Sequence, residues 1–151
     1  MTTISKVLRT AAVASTLIML AAMPASAADA IVQFDLQKAM NAPDTLAHID
    51  GSVKFYFGST SHPAIIKHLG EGIANKRANG FGRESTRGCE RAFLDALITM
   101  QDKAKELGAN AVINVNSYFK RNEVPITTTV ECHSGMWMDA VTLKGEFVKV
   151  K

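Results

Sequence analysis

Residues 88–118, GCERAFLDALITMQDKAKELGANAVINVNSY, decide the fold. Cys89, Phe93, Leu97, Met100, Ala104 and Leu107 recur at helical spacing and draw one apolar stripe. The helix starts between residues 84 and 88, where Ser85 or Thr86 offers an oxygen to the first free amides. Lys103 and Lys105 lie toward its negative C-terminal end, and with Asp102 and Glu106 they read as a solvated face. Gly108 stops the helix, since glycine adopts the left-handed backbone of a helix terminus without a Cβ clash. Residues 111–115 then read as a buried strand.

Working outward, residues 53–57 form a first strand with Val53, Phe55 and Phe57 on one face. Residues 58–63 make a turn. The following segment carries Ile65, Ile66, Leu69 and Ile73 around Gly70 and Gly72, and its periodicity fits a helix and a bent strand equally. Residues 79–82 are a loop. After the central unit, residues 120–125 make a polar connection to a Thr-rich strand over 126–133, and Ser134-Gly135 marks a turn. Residues 139–150 close the chain as a long strand with Val141, Leu143, Gly145 and Phe147 on one face. Residues 31–45 set Phe34, Leu36 and Met40 among polar residues, a pattern of either a short helix or a mobile arm.

The first 27 residues read as a cleavable signal peptide. Lys6 and Arg9 precede an apolar run over 11–23, Pro24 breaks it, and Ala25-Ser26-Ala27 supplies the small residues of a cleavage site. The run is short for a transmembrane span, and an uncleaved anchor is the alternative. No cysteine lies near the cleavage region, so no lipid anchor is expected. Cleavage after Ala27 leaves residues 28–151 in a periplasmic or secreted location without a stable membrane anchor. It removes Lys6 and Arg9 but no acid, lowering the formal charge from +3 to +1. So small a charge makes no electrostatic case for nucleic acid. The chain divides into a signal peptide (1–27), a poorly defined N-terminal arm (28–52) and a folded domain (53–151), long enough for one small hydrophobic core.

The sequence holds two cysteines, Cys89 at the helix start and Cys132 in a strand. Export permits a disulfide between them that would staple the two elements. Two free core thiols, an intermolecular bridge and a metal pair are the other readings. The close CxxC spacing of a redox enzyme is absent.

Residues 88–120, then TTTVECHSG (127–135), then DAVTLKGEFVKV (139–150), resemble exported proteins often labelled as relatives of the excinuclease ATPase subunit. More distantly, they are similar to the YbjQ-like family and to the folded domain of the Rcs envelope-stress sensor lipoprotein. The shared pattern is a helix ending in Leu107-Gly108-Ala109-Asn110-Ala111, a strand, and a late Gly-containing apolar strand. The resemblance implies an α/β (α+β) domain with one main helix on a mixed or mainly antiparallel sheet. It favours the bent strand for residues 64–76. YbjQ-like proteins form rings, which implies a homo-oligomer. An ATPase is not implied, because no GxxxxGK[ST] phosphate loop occurs. The chain also lacks the sensor's lipid-attachment cysteine and its second pair of cysteines.

Trp137 between Met136 and Met138 is either a cap on the core or a contact site, and Tyr56, Tyr118 and Phe119 are further candidate contacts. Asn75, Asn79, Asn114 and Asn116 would line a polar groove if brought together. Cys89, Cys132 and His133 form an alternative zinc or copper set, and His62 and His68 approach one another if their segment bends. A hydrolase would draw on Ser134, His133 and Asp139, yet GxSxG is missing. Glu131 and Asp139 are a candidate carboxylate pair. The expectation is a non-catalytic periplasmic accessory or interaction domain without a cofactor, binding an envelope protein or peptide. A small-ligand or transition-metal module and a periplasmic hydrolase are the alternatives.

Overall fold

The computed structural model describes residues 30–80 and 85–151, with Ser85 described by its backbone alone. The expected signal peptide, residues 81–82 of the expected 79–82 loop and the capping hydroxyl of Ser85 lie outside the described residues. The apolar stripe becomes α3 (Ser85–Leu107), with Cys89, Phe93, Leu97, Met100 and Ala104 buried along it. Gly108, at φ +74°, ends the helix as expected. The Ala109 N–H donates to the Ala104 carbonyl (2.8 Å) and the Gly108 N–H to that of Lys105 (3.1 Å). Those two bonds satisfy carbonyls that the last turn would otherwise leave open.

Ahead of α3 lie β1 (Ala30–Asp35), α1 (Leu36–Met40), α2 (Pro43–His48), β2 (Lys54–Phe57) and β3 (Ile65–Asn79). After it come β4 (Ala111–Ser117), a 3-10 turn (Phe119–Arg121), β5 (Val124–Pro125), β6 (Thr129–Ser134) and β7 (Met138–Val150). The sheet runs β1-β6-β7-β4-β2, with β3 also paired to β7 and β5 to β4. Among the described residues only β2 and β4 pair in parallel. The fold is therefore the expected one: a dominant helix on a curled, mainly antiparallel sheet.

Strand β7 organises the sheet. It pairs with β3 from Met138 to Val150, while its second edge is shared by β6 at Asp139 and Ala140 and by β4 from Leu143 to Val148. Val141, Leu143 and Phe147 join the buried residues of α3 in the main core. Phe93 sits at the centre of that core, with ring centroids 5.6 Å from Phe34 and 6.2 Å from Phe57. A smaller cluster of Ala111, Ile113, Val148 and Val150 is packed by Tyr56 and Ile65.

Three local readings change. Residues 30–48 are not a mobile arm. β1 pairs with β6, Asp35 caps α1 by accepting the Lys38 N–H at 2.7 Å, and Phe34, Leu36 and Ala39 enter the main core. The Thr-rich strand begins at Thr129 rather than at residue 126, and the Leu36 N–H donates to the Thr128 carbonyl (2.9 Å) in the register of the β1–β6 pairing. The bent strand that the resemblance favours for residues 64–76 forms instead over Ile65–Asn79, which takes Asn79 out of the expected loop, and it carries register shifts between Ile65 and Lys67 and between His68 and Gly70.

Cys89 and Cys132 are bonded to one another, with Cα atoms 5.7 Å apart and both residues fully buried. The bridge ties the start of α3 to β6. Among the described residues, no helix is long and apolar enough to cross a membrane.

Candidate interaction face

Strand alternation divides the β3–β7 ribbon into two faces. Val141 and Leu143 point into the core beneath α3, so Ala140, Thr142 and Lys144 occupy the opposite face. Register sets Arg77 beside Ala140, Asn75 beside Thr142 and Ile73 beside Lys144 on that outer face. The chain leaving β4 then turns back over it. The Tyr118 N–H donates to the Thr142 carbonyl at 2.8 Å, fixing the start of the 3-10 turn against β7. Lys120 (φ 49°) and Arg121 (φ 66°) both hold left-handed backbone. For residues with a Cβ, this conformation costs roughly 1–3 kcal/mol each.

This turn and the ribbon enclose a groove of about 360 Å³. Its floor is Ile73, Asn75, Arg77 and Thr142, and its wall is residues 118–121. A second hollow of about 200 Å³ also uses Arg77 and Phe119, and adds His133, Met138 and Ala140. Phe119 stacks on His133, with centroids 3.5 Å apart and planes 12° from parallel, while His133 Nε2 lies 2.8 Å from Glu131 Oε1. Beyond Met138, the β6–β7 turn exposes Met136 (74%), Trp137 (61%) and Met138 itself (47%). The Gly135 N–H closes that turn on the Met138 carbonyl (2.9 Å), and the Gly80 N–H donates to the Trp137 carbonyl (3.0 Å).

The predicted contact residues are therefore partly reunited. Tyr118, Phe119 and Met138 line the two hollows, and Met136 and Trp137 occupy the adjoining turn. Tyr56 is elsewhere, packing on the smaller apolar cluster with His62 edge-on at 5.8 Å. The four asparagines do not form one groove. Asn75 lines the outer face, whereas Asn114 and Asn116 border a separate hollow of about 300 Å³ with Glu123 and Glu146. Sequence reasoning missed Arg77, Lys120, Arg121 and Thr142. The available signal was a basic pair directly after Tyr118-Phe119, next to a strand whose alternate positions carry Ile73, Asn75 and Arg77.

The alternative chemistries are dispersed. The sulfurs of Cys89 and Cys132 bond each other, which removes the thiolates from the set with His133. His62 packs on Tyr56 while His68 lies 3.6 Å from Glu146, so these histidines have separate partners. Among the described residues, no group of three or more His, Cys, Asp and Glu side chains is placed to hold a metal. The hydrolase grouping fails by strand alternation. His133 pairs with Ala140 on the outer face, whereas Ser134 pairs with Asp139, whose carboxylate lies against α3 at Gly88. Glu131 shares the His133 face, which separates it from Asp139 as well.

A charge clamp borders the groove. Glu123 accepts from Asn116 Nδ2 at 2.8 Å and from Lys144 Nζ at 3.2 Å, and Lys144 lies over the Tyr118 ring at 5.3 Å. The Asn116 hydrogen bond, then the one from Lys144, holds the Glu123 carboxyl below its usual 4.5. Glu123, chiefly through its hydrogen bond, raises the Lys144 ammonium above its usual 10.5. The depressed acid stabilises the fold above about pH 4.5 and loses that contribution as pH falls through its folded value. The raised base contributes below about pH 10.5 and loses its contribution as pH rises through its folded value. Thermal melts should therefore show that Glu123→Gln flattens the fall in Tm below about pH 4.5 and barely changes Tm at pH 7 in high salt. An unchanged acid slope would remove the clamp from the stability balance.

No family model matches the chain, and no curated protein matches it.

Proposed function

We propose that this protein is an exported, non-catalytic interaction domain that seats an envelope protein or peptide on the sheet face turned away from α3. The observation that carries the reading is the exposed Met136-Trp137-Met138 turn beside the two hollows. A large aromatic side chain between adaptable methionines is the composition of an interface anchor. The signal-like residues 1–27 and the core disulfide agree with an oxidising compartment. So does the resemblance to exported YbjQ-like proteins and the Rcs sensor domain. A second contact is available at β3, which among the described residues pairs only with β7 and so leaves its other edge for an extended peptide. Charges at Lys67, Glu71 and Arg77 keep that edge from indiscriminate pairing.

The test is photocrosslinking in intact cells with a photoreactive residue at Met136, followed by mass spectrometry. The expected result is one dominant partner whose capture falls about tenfold when Trp137→Ala is added, in line with loss of an aromatic anchor. The same residue placed at Lys103 on α3 should not capture it. A product of twice the protomer mass would identify the partner as a second copy. Equal capture from both positions, or capture indifferent to Trp137, sinks the reading.

A further inference from the structure

The groove over β3 and β7 carries positive charge without compensation. Arg77, Lys120 and Arg121 line it and no acidic residue does. None of the three makes an ion pair among the described residues. The neighbouring Lys144 differs in this respect, since Glu123 already engages it. A hollow of about 400 Å³ beside α2 and α3 also differs, because Asp44 and Glu90 balance Arg87 and Arg91 in its lining.

A second observation is independent of charge. Thr142 is only 5% exposed and lines the same groove, yet its Oγ1 has no hydrogen-bond partner among the described residues. Buried hydroxyls are ordinarily bonded, so an orphan bordering a cavity points to a ligand atom. Asn75, paired with Thr142 across the ribbon, brings a side-chain amide to the same floor. The remaining surface is apolar or aromatic: Ile73, 58% exposed, and the rings of Tyr118 and Phe119.

We propose that this groove is an oxyanion-binding site for a small ligand with a carboxylate or phosphate head on an apolar or aromatic body. The planar guanidinium forks of Arg77 and Arg121 match either head. The Thr142 hydroxyl donates to it, and Ile73, Tyr118 and Phe119 receive the body. The volume suits a small organic ligand. The assignment goes beyond the interaction reading and does not rest on it, because a small anion can bind whether or not Trp137 anchors a partner.

The test is calorimetric titration of the purified protein at low salt with benzoate, phenyl phosphate, inorganic phosphate and benzamide. The expected result is saturable binding of benzoate or phenyl phosphate, with neutral benzamide at least about tenfold weaker. The preference between the two anions assigns the head group. Arg77→Gln and Arg121→Gln, both at exposed positions and so compatible with folding, should each weaken binding about tenfold. Thr142→Val should weaken it less, and Lys103→Gln on α3 should leave it unchanged. Four outcomes would each overturn the proposal. They are no saturation by either aromatic anion at about 10 mM, equal binding of benzamide, inorganic phosphate binding as tightly as phenyl phosphate, and binding that survives both arginine substitutions.

Discussion

Replacing Cys89 and Cys132 together by alanine should remove about 4 kcal/mol of stability. The bond joins residues 43 apart in sequence, and opening it frees a long loop in the unfolded chain. Both residues are fully buried where α3 meets β6, so the alanines also leave the core without two sulfurs. In a domain of this size the change corresponds to a fall in Tm of roughly 15 °C. Denaturant melts with and without reductant give the control. Reduction should carry the wild-type protein most of the way to the midpoint of the double-alanine variant, which lacks the two core sulfurs as well, and leave that variant unmoved. An unchanged midpoint in the double-alanine protein would mean that the bridge does not hold the fold. Because the sulfurs have no solvent exposure, reduction of the native protein should proceed only as fast as the helix start opens.

Gly88→Ala should destabilise by about 2 kcal/mol, although alanine for glycine in a helix ordinarily stabilises by about 1 kcal/mol. The reason is the neighbour across the helix–sheet boundary. A Cβ at Gly88 would lie 1.8 Å from Asp139 Oδ2 and 2.8 Å from its Cγ. Asp139 is fully buried and short, and neither of its carboxylate oxygens has a hydrogen-bond partner among the described residues. It cannot swing into solvent to make room, so the first turns of α3 must lift from β7. Combining Gly88→Ala with Asp139→Ala relieves the overlap, and the double variant should recover at least about 1 kcal/mol relative to additivity. A Gly88→Ala protein as stable as the wild type would show that the helix start already tolerates the extra carbon.

The architecture was legible where a single local period fixes burial. The stripe from Cys89 to Leu107 returns as the buried face of α3, and the alternation over 141–147 returns as the sheet's core face. Residues 30–48 were not legible, because β1 and two helices of five and six residues are too short to carry a period. Their order comes from a pairing with β6, nearly a hundred residues away. The candidate groove was illegible for a related reason. Arg77, Thr142 and the 118–121 turn meet only through β3–β7 register and the bond from Tyr118 to Thr142, while Lys120 and Arg121 adopt left-handed backbone that their residue types do not announce. Trp137 stood out by composition alone, but its exposure depended on the turn that carries it.

The three-way pairing of β7 also governs when the domain can come into being. In chain order β7 follows every strand that it joins. As the polypeptide emerges from a ribosome or a membrane pore, β3 and β4 have no shared partner until residues 138–150 have followed them. The hairpin edge, the helix docking site and the outer groove are thus completed in one late event. Until then β3 lacks its paired strand and β4 its longest one, so non-local pairing at the very end of the chain sets the pace at which the sheet closes.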